Sequence, residues 1–323
     1  MRFSVFQHTG SDRPMTAIGL LMIGVFVIAF QDSLFKFMSS ETSFWQFQTL
    51  RSIGNVSFAV VLALLSGSLA LLRPVNWRAV ILRSSLLMVC MFCFFSGAPF
   101  LSIAQMAAGL YTYPIFVSLL AMPVLGEQLG PWRVGAVLLG ACGAGIVLSP
   151  WQDEFSLVQI LPTIAGFFYA CNVLTLRRAC RGESPLALAF VVGLLFMFCG
   201  VVGAVWLSFL PLSEELRASV PFVAVGWPQL TWLVVGFAVV ASIANLTGNI
   251  CLTRAYMTAD ASLLSPLDFV YLLFAALWSK ILFDQWPSQQ ALIGMLLIAT
   301  AGIITAWREQ RLAKRRATPR QPD

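Results

Sequence analysis

Long runs of apolar residues, separated by short polar joints, occupy the chain from residue 15 to residue 307. Each run has about 20 residues or more, enough for a helix to cross a hydrocarbon core of about 30 Å. The runs lack the ~10-residue alternation of membrane strands, and lipid admits only helices or closed barrels. The pattern therefore predicts an all-α integral membrane protein. Its ten predicted transmembrane helices cover residues 15–38, 44–66, 77–97, 101–124, 131–149, 157–178, 186–210, 228–254, 261–283 and 288–307.

Composition agrees with this pattern. Hydrophobic residues make up 59% of the 323 residues and charged residues 11%, with a mean hydropathy of +0.84. Soluble domains carry roughly twice that share of charge. The chain is therefore expected to lie in a lipid bilayer, which is one of its predicted partners.

The distribution of Lys and Arg predicts the orientation of the spans. With a cytoplasmic N-terminus, sixteen of the 20 basic residues lie on the cytoplasmic side. Lys36, Arg217 and Lys280 lie on the other side, and Arg51 lies within a span. This bias favours a multi-pass protein of the inner (plasma) membrane with both termini in the cytoplasm. The net charge of +6 is then a topology signal, and no nucleic-acid partner is expected.

Two stretches of the chain, 101–131 and 252–288, follow the same plan. Each has an Ala-rich start, a proline within the apolar run (Pro114 and Pro266), an acidic or amide end and a further proline. A repeated unit indicates two copies of one module. Because five spans per half is an odd number, the halves are predicted to be inverted five-helix repeats. The predicted divisions are a tail at 1–14, modules at 15–150 and 151–307, and a basic tail at 308–323.

Several motifs in this order resemble the EamA modules of the drug/metabolite transporter superfamily. They are Leu125-Gly126-Glu127 after Pro114, Leu176-Arg177-Arg178 before Glu183-Ser184-Pro185-Leu186, and Ser265-Pro266-Leu267-Asp268-Phe269 before Leu282-Phe283-Asp284-Gln285-Trp286-Pro287-Ser288. The segments Gln31-Asp32-Ser33-Leu34-Phe35-Lys36 and Gln48-Thr49-Leu50-Arg51 resemble a branch that includes carriers of S-adenosylmethionine and riboflavin. One departure is Asp284-Gln285, where the family commonly has Gly-Glu.

The resemblance implies a secondary active transporter that moves a small organic metabolite or drug by alternating access. Transport would be driven by a proton gradient or by exchange. The implied partners are a small-molecule substrate and the bilayer, and a homodimer is left open. Substrate sites in such proteins lie near the midplane, between the repeats.

Asp32 and Arg51 are the first candidates for the site. Both lie roughly 9–10 Å deep, counted from the outer ends of neighbouring antiparallel spans, so they can meet. An unpaired charge at that depth costs several kcal/mol, so pairing or a watery cavity is expected. The pair is predicted to act either as an outer gate or charged-group site, or as a structural ion pair.

A second group of candidates lies in the later spans. Asp268 follows Pro266 by two residues, where freed backbone carbonyls commonly build transporter sites. Asn245 and Asn249 share one helix face at a comparable depth. Asp268 is a candidate for proton uptake coupled to substrate movement, and its alternative is a hydrogen-bonded structural acid.

Aromatic and amide groups complete the candidate set. Tyr111 precedes Pro114, and Asn172 shares a face with Tyr169. These residues are predicted to line an amphipathic cavity for a planar or zwitterionic ligand, or to pack and hydrogen-bond between helices.

Two other classes of function receive less support from the sequence. A membrane-embedded enzyme needs a nucleophile with a base or a metal site, but the only histidine, His8, is in the N-terminal tail, and no phosphate-binding GxxxxGK[ST] loop is present. No cofactor or metal is therefore expected. A non-transporting structural or lipid-interacting subunit predicts that Asp32, Arg51 and Asp268 face packed helices.

Overall fold

The chain folds into α-helices throughout the part described by its structure, a computed structural model. The described residues are 14–125, 131–148, 156–180, 182–258, 264 and 267–317. The helices are α1 (Pro14–Phe37), α2 (Phe44–Leu65), α3 (Trp77–Ser96), α4 (Ile103–Leu110), α5 (Tyr113–Leu125), α6 (Pro131–Leu148), α7 (Leu161–Ala179), α8 (Pro185–Phe209), α9 (Glu214–Ser219), α10 (Pro221–Ala224), α11 (Trp232–Thr258), α12 (Val270–Phe283) and α13 (Gln289–Ala317).

Most helices match the predicted spans to within a few residues. Within the described ranges, seven helical stretches are long and apolar enough to cross a membrane. Shorter apolar helices, Val134–Leu148 and Gln289–Ile304, lie within α6 and α13. The all-helical membrane fold is thus confirmed, while the count of ten spans stays a prediction.

The fourth predicted span, 101–124, consists of two helices. The Ser102 hydroxyl accepts a hydrogen bond from the Gln105 N–H at 3.2 Å and caps the start of α4, which ends at Leu110. α5 starts three residues later. Pro114 has no N–H to donate to the Leu110 carbonyl, so the helical hydrogen bonds are interrupted here. The expectation of a proline in the middle of one continuous helix is therefore wrong for this stretch, because Pro114 lies in the first turn of α5.

The later spans differ from prediction at their ends. A 3-10 turn, Leu267–Phe269, precedes α12 and carries Asp268. α13 continues to Ala317, ten residues past the predicted end of the last span. The repeated motif's Pro266 and Glu127 lie outside the described residues.

Helices from the two predicted halves pack against each other along most of their length. The most extensive pairings are α1 with α11, α2 with α8, α3 with α7, and α6 with α13. Paired glycines bring two of these crossings close together. A Cβ on Gly143 of α6 would lie 2.8 Å from the carbonyl oxygen of Gly294 on α13, and one on Gly24 of α1 would lie 3.0 Å from that of Gly248 on α11. Only small residues allow such close approach.

Candidate functional site

Five polar residues inside the apolar spans form a hydrogen-bonded network, called here the amide–charge cluster: Gln31, Asp32, Gln48, Arg51 and Asn245. They lie on α1, α2 and α11, so both predicted halves contribute. Gln31 Oε1 accepts hydrogen bonds from Arg51 Nη1 at 3.1 Å and from Asn245 Nδ2 at 2.7 Å. Gln31 Nε2 donates to Asp32 Oδ1 at 2.9 Å. Arg51 Nη2 donates to Gln48 Oε1 at 3.0 Å.

Asp32 and Arg51 lie near each other, as their depths suggested, but the amide of Gln31 lies between them. Arg51 donates to the side-chain carbonyl of Gln31, and the Gln31 amide NH2 group donates to Asp32. Gln31 and Arg51 are only 1% and 6% exposed, so water does not satisfy these groups. Apart from Arg51 Nε, which has no hydrogen-bond partner among the described residues, the side-chain hydrogen bonds of Arg51 are made within the cluster. Such pairing is how a buried charge becomes tolerable in an apolar span.

The helical spacing of α2 and the packing of α1 hold Arg51 in place. Gln48 and Arg51 are three residues apart and therefore lie on one face of α2. The guanidinium lies over the ring of Phe35 at 5.3 Å, and that ring stacks on Phe95 at 3.8 Å. From α11, the Ser242 hydroxyl donates to the Arg51 backbone carbonyl at 2.9 Å. Arg51 is thus positioned from three sides.

Asn245 and Asn249 occupy the same face of α11, but only Asn245 enters the cluster. Asn249 is exposed, and its Nδ2 donates to the Asn245 carbonyl at 2.8 Å. Of the two asparagines predicted from the sequence, Asn245 therefore joins the two predicted halves, whereas Asn249 lies at the helix surface.

Four of the chain's 5 tyrosines form a series of ring contacts that starts at the cluster. The Tyr271 hydroxyl donates to Asp32 Oδ2 at 2.5 Å. The Tyr271 ring stacks on Tyr111, with centroids 5.0 Å apart and planes inclined by 12°. Tyr111 contacts Tyr113 at 5.9 Å, and Tyr113 meets Tyr169 edge-on at 4.9 Å. The series extends the polar site from α12 across the α4–α5 break to α7.

A second charged region lies at the far end of the tyrosine series. Asp268 is half-buried and acts electrostatically on both Tyr111 and Tyr169. Arg83 of α3 acts on Tyr169 as well. Asn172, one turn after Tyr169 on α7, is 3% exposed. Asp268, Tyr111 and Asn172 thus lie around the Tyr169 end of the tyrosine series. The amide–charge cluster lies at the other end of the series.

Two shallow pockets among the described residues lie away from the Gln31–Arg51 pair. One is lined by residues of α4, α6, α7 and the turn before α7, among them Gln105 and Thr163. The other lies between α4, α5, α6 and α13 and includes Tyr111. The cluster is closed and packed, so a substrate that reaches it requires a movement of helices.

Sequence reasoning misses four residues of this arrangement as site candidates: Gln31, Gln48, Tyr271 and Arg83. Gln31, the centre of the cluster, stands in a quoted motif but was not singled out beside its charged neighbour. Tyr271 lies three residues after Asp268, at the spacing that places both on one helix face. Arg83 is one of the sixteen basic residues on the predicted cytoplasmic side, so its charge is explained there by topology alone. A buried amide and a tyrosine carry no charge that stands out in an apolar run, so Gln31 and Tyr271 are recognised only from their hydrogen-bond partners in the structure.

Lys36 also behaves differently from a residue at the lipid edge. Its Nζ donates to the backbone carbonyls of Ala98 and Leu101 at 2.7 and 2.6 Å, and it lies 5.3 Å from the centroid of the Phe283 ring. Instead of extending to the membrane surface, Lys36 ties the end of α1 to the link between α3 and α4.

The helices and the buried polar cluster define a class, the multi-span α-helical membrane proteins with an internal polar site. Residues 15–149 match the family model described as the EamA-like transporter family. The first predicted module thus matches this family, and the expected resemblance to EamA-type transporters is confirmed. It is also confirmed that the chain is not an enzyme, because the family and the relatives below are transporters.

The chain is similar to several bacterial proteins named as transporters. It is 28% identical to the riboflavin transporter of Vibrio cholerae over 66% of this chain and 65% of that protein. It is 26% identical to the riboflavin transporter of Rhizobium johnstonii over 87% of this chain and 85% of that one. It is 20% identical to the S-adenosylmethionine uptake transporter of Rickettsia bellii over 62% of each. The chain thus spans just under two thirds of the length of the Vibrio and Rickettsia proteins.

A solved crystal structure shares the fold. It superposes with a TM-score of 0.54 and 19% sequence identity, covering 95% of this chain and 100% of the other. At this identity the similarity concerns the helical architecture alone.

Proposed function

We propose that the chain is a secondary active transporter that moves a small organic metabolite or drug across the inner membrane by alternating access. The observation that carries this proposal is the amide–charge cluster. In it, Gln31 of α1 accepts hydrogen bonds from Arg51 of α2 and from Asn245 of α11. Ionisable residues are rare inside membrane spans, and those that occur there commonly mark a substrate or ion pathway. A site that joins the two halves is where alternating-access carriers bind their substrates.

The helix pairings support two inverted modules at 15–150 and 151–307. α1 with α11 joins predicted spans 1 and 8, and α3 with α7 joins spans 3 and 6, which is the same pairing after a shift of five spans. α2 with α8 joins spans 2 and 7, and α6 with α13 joins spans 5 and 10, so each of these pairings maps onto itself. A pseudo-two-fold relation between the modules requires this pattern.

Contacts between the halves at opposite ends of α2 support a gate on each side of the membrane. At the start of α2, the Ser43 hydroxyl donates to the Gly226 carbonyl at 2.6 Å. Beyond its other end, the Glu183 carboxylate accepts hydrogen bonds from the N–H groups of Val75 at 2.9 Å and Asn76 at 2.7 Å. If the Ser43 contact opened while the Glu183 contacts stayed closed, or the reverse, the amide–charge cluster would be exposed to one side of the membrane at a time. With both termini in the cytoplasm, Glu183 belongs to the cytoplasmic gate.

The tyrosine series favours a planar substrate. Aromatic rings with a few convergent polar groups suit a planar, polar ligand. Riboflavin, the substrate named for the Vibrio and Rhizobium relatives, has this character, and S-adenosylmethionine, named for the Rickettsia relative, carries a planar purine ring. We place riboflavin first among the substrates to test.

The proposal is tested with the purified chain reconstituted into liposomes. Uptake of labelled riboflavin, S-adenosylmethionine and a panel of other metabolites is measured with and without an imposed pH gradient, and with unlabelled substrate inside. Gradient-driven accumulation or exchange of one compound is expected. If no compound enters faster than into protein-free liposomes, although the protein is folded, the transporter proposal fails.

The packing also supports one alternative, a structural or lipid-interacting membrane subunit. Gln31, Gln48 and Arg51 are 6% exposed or less, and their side chains fill the space between helices. A structural network would lose stability when mutated but would have no substrate. The same liposome experiment separates the two functions, since only a transporter shows saturable uptake.

A further inference from the structure

Four buried polar atoms on α3 and α7 have no hydrogen-bond partner within the part of the chain that the structure describes: Arg83 Nε, Ser84 Oγ, Thr163 Oγ1 and Asn172 Oδ1. Two of them are complementary and belong to residues near Tyr169: Arg83 Nε, whose N–H is a donor, and Asn172 Oδ1, an acceptor. Buried polar atoms are satisfied in the great majority of cases, and an exception requires an explanation. Inside a transporter, one explanation is a ligand that supplies the missing partners.

Arg83 and Asn172 lie at the same level of the helix pair. α3 and α7 pack along their length, and Cys180, which follows α7, packs with Ala79 and Val80 near the start of α3. The two helices are therefore antiparallel. Arg83 is six residues after the start of α3 and Asn172 seven before the end of α7, which places them roughly 9 and 10 Å from the same end.

An aromatic ring lies beside this donor and acceptor. Tyr169 is one helical turn before Asn172, on the same face of α7. Arg83 acts on Tyr169 electrostatically, and the ring also contacts Tyr113 edge-on at 4.9 Å. A flat ligand in contact with Tyr169 would therefore have a hydrogen-bond donor from α3 and an acceptor from α7 at its edge.

We propose that Arg83 and Asn172 bind the imide edge of a planar heteroaromatic substrate whose ring packs against Tyr169. This inference rests on the transport function proposed above and names the substrate class. An imide presents an N–H flanked by two carbonyl oxygens. The Arg83 guanidinium donates to a carbonyl, and the Asn172 carbonyl accepts the N–H. The pyrimidine-dione ring of a flavin has this edge, whereas the purine ring of S-adenosylmethionine does not.

The arrangement assigns a different role to each side chain. Asn172 reads the imide N–H, so it distinguishes riboflavin from a derivative methylated at that nitrogen. Arg83 binds a carbonyl that both compounds retain, so it contributes to affinity without distinguishing them. An arginine that served only membrane topology would be replaceable by lysine, whereas the planar fork of arginine is suited to a carbonyl edge.

The test measures binding of riboflavin and of N3-methylriboflavin to the purified full chain in lipid nanodiscs, by quenching of flavin fluorescence. We expect the natural chain to bind riboflavin about tenfold more tightly than the methylated compound, the effect of roughly one hydrogen bond. Asn172→Ala should weaken riboflavin binding about tenfold and abolish the preference. Arg83→Gln should weaken both compounds about equally and keep the preference, and Arg83→Lys should recover only part of the affinity.

Two neighbouring variants serve as matched controls. Thr175→Val changes a hydroxyl that bonds to the Cys171 carbonyl one turn further along α7, and Arg178→Gln removes an exposed charge from the same helix. Both should bind flavins like the natural chain. Equal affinity of the natural chain for the two flavins, or an undiminished preference in a folded Asn172→Ala variant, would overturn the inference. Uptake of a compound without an imide, with no flavin binding, would overturn it while leaving the transporter function intact.

Discussion

The side-chain carbonyl of Gln31 accepts a hydrogen bond from Arg51 at 3.1 Å while it accepts a second from Asn245 at 2.7 Å. One amide oxygen thereby joins α2 of the first half to α11 of the second. The NH2 group of the same amide faces Asp32. Because movement of α11 relative to α1 must break the Asn245 bond, this oxygen is a point where substrate binding and helix movement can be coupled.

Gln31→Leu should destabilise the fold and stop transport. The change leaves the Arg51 and Asn245 donors without their acceptor in a site that is about 1% exposed at position 31. Each buried donor left unsatisfied costs about 1–3 kcal/mol. The midpoint of thermal unfolding in detergent should fall by several degrees. Gln285→Leu, at an exposed position, is the control, and an unchanged midpoint for Gln31→Leu would show that the cluster contributes little.

Tyr271→Phe should lower transport while leaving the fold intact. The variant removes the hydroxyl that donates to Asp32 but keeps the ring that stacks on Tyr111. Hydrogen bonds to charged groups contribute about 1.5–3 kcal/mol, so loss of the bond that positions Asp32 should lower the transport rate about tenfold. Initial uptake rates in liposomes provide the measurement. Thr300→Val, which removes an exposed hydroxyl that bonds to the Leu296 carbonyl of α13, is the control, and equal rates for both variants would argue against a special role of Asp32.

Asp268→Asn should separate substrate movement from the proton gradient. The half-buried carboxyl group near Tyr111 and Tyr169 is the acid proposed to take up the proton. Asparagine keeps the size but cannot be protonated, so uptake driven by a pH gradient should be lost while exchange continues. Both modes are compared in the same liposomes. Intact gradient-driven uptake would remove Asp268 from the coupling mechanism.

Asp284→Asn is the matched control for that experiment. Asp284 ends α12 with a left-handed backbone, φ 53°, which asparagine also tolerates. Its hydrogen bond from Lys280 lowers the pKa of the Asp284 carboxyl, so this acid stays ionised at neutral pH and is not expected to carry a proton. Gradient-driven uptake should be unchanged in Asp284→Asn.

The sequence predicted the elements better than their contacts. The bounds of α1, α2 and α3 follow from apolar run length and polar joints, so they match closely. The break at Tyr111 and Thr112 was also accessible, because a proline at position 114 removes the donor for the Leu110 carbonyl. The long apolar run on both sides concealed it, since hydropathy alone does not detect a missing hydrogen bond.

The partners in the site were not accessible from one sequence. Depth along a helix placed Asp32 near Arg51, because both are counted from the same membrane face. That Gln31 lies between them and binds Asn245, 214 residues away, depends on how α1 and α11 are rotated about their axes. Periodicity does not specify that rotation, nor does it show that Gly24 and Gly248 meet where the two helices cross.

A large residue at Gly143 should separate α6 from α13, whereas the same residue at Gly145 should be tolerated. A Cβ at Gly143 would lie 2.8 Å from the Gly294 carbonyl oxygen, while one at Gly145 would have nothing within 4 Å. Gly143→Leu should therefore destabilise the chain by about 1–3 kcal/mol, the usual cost of overpacking, and Gly145→Leu by far less. Unfolding midpoints of the two variants are compared. Equal midpoints would contradict the close crossing.

Glu183→Gln should favour opening of the contact between Glu183, which precedes α8, and the segment Val75–Asn76, which precedes α3. The carboxylate accepts hydrogen bonds from the N–H groups of Val75 and Asn76 at 2.9 and 2.7 Å, and both bonds weaken when its charge is removed. Cys180 reports the opening. Its side chain is 2% exposed, and burial raises the pKa of its thiol, while Arg83 opposes this rise. Maleimides react with the thiolate, so Cys180 is protected while the contact is closed.

The labelling rate of Cys180 is measured in a chain whose other six cysteines are alanine. Glu183→Gln should raise the rate several-fold, and Glu183→Ala should raise it further, because alanine offers the Val75 and Asn76 N–H groups no acceptor. Glu41→Gln, which removes an exposed charge near the start of α2, should leave the rate unchanged. Saturating substrate should shift the rate in the natural chain but not in Glu183→Ala, where the contact is already open. Identical labelling in all four proteins would mean that Glu183 stabilises a static joint, and the cytoplasmic gate would then have to lie elsewhere between the two halves.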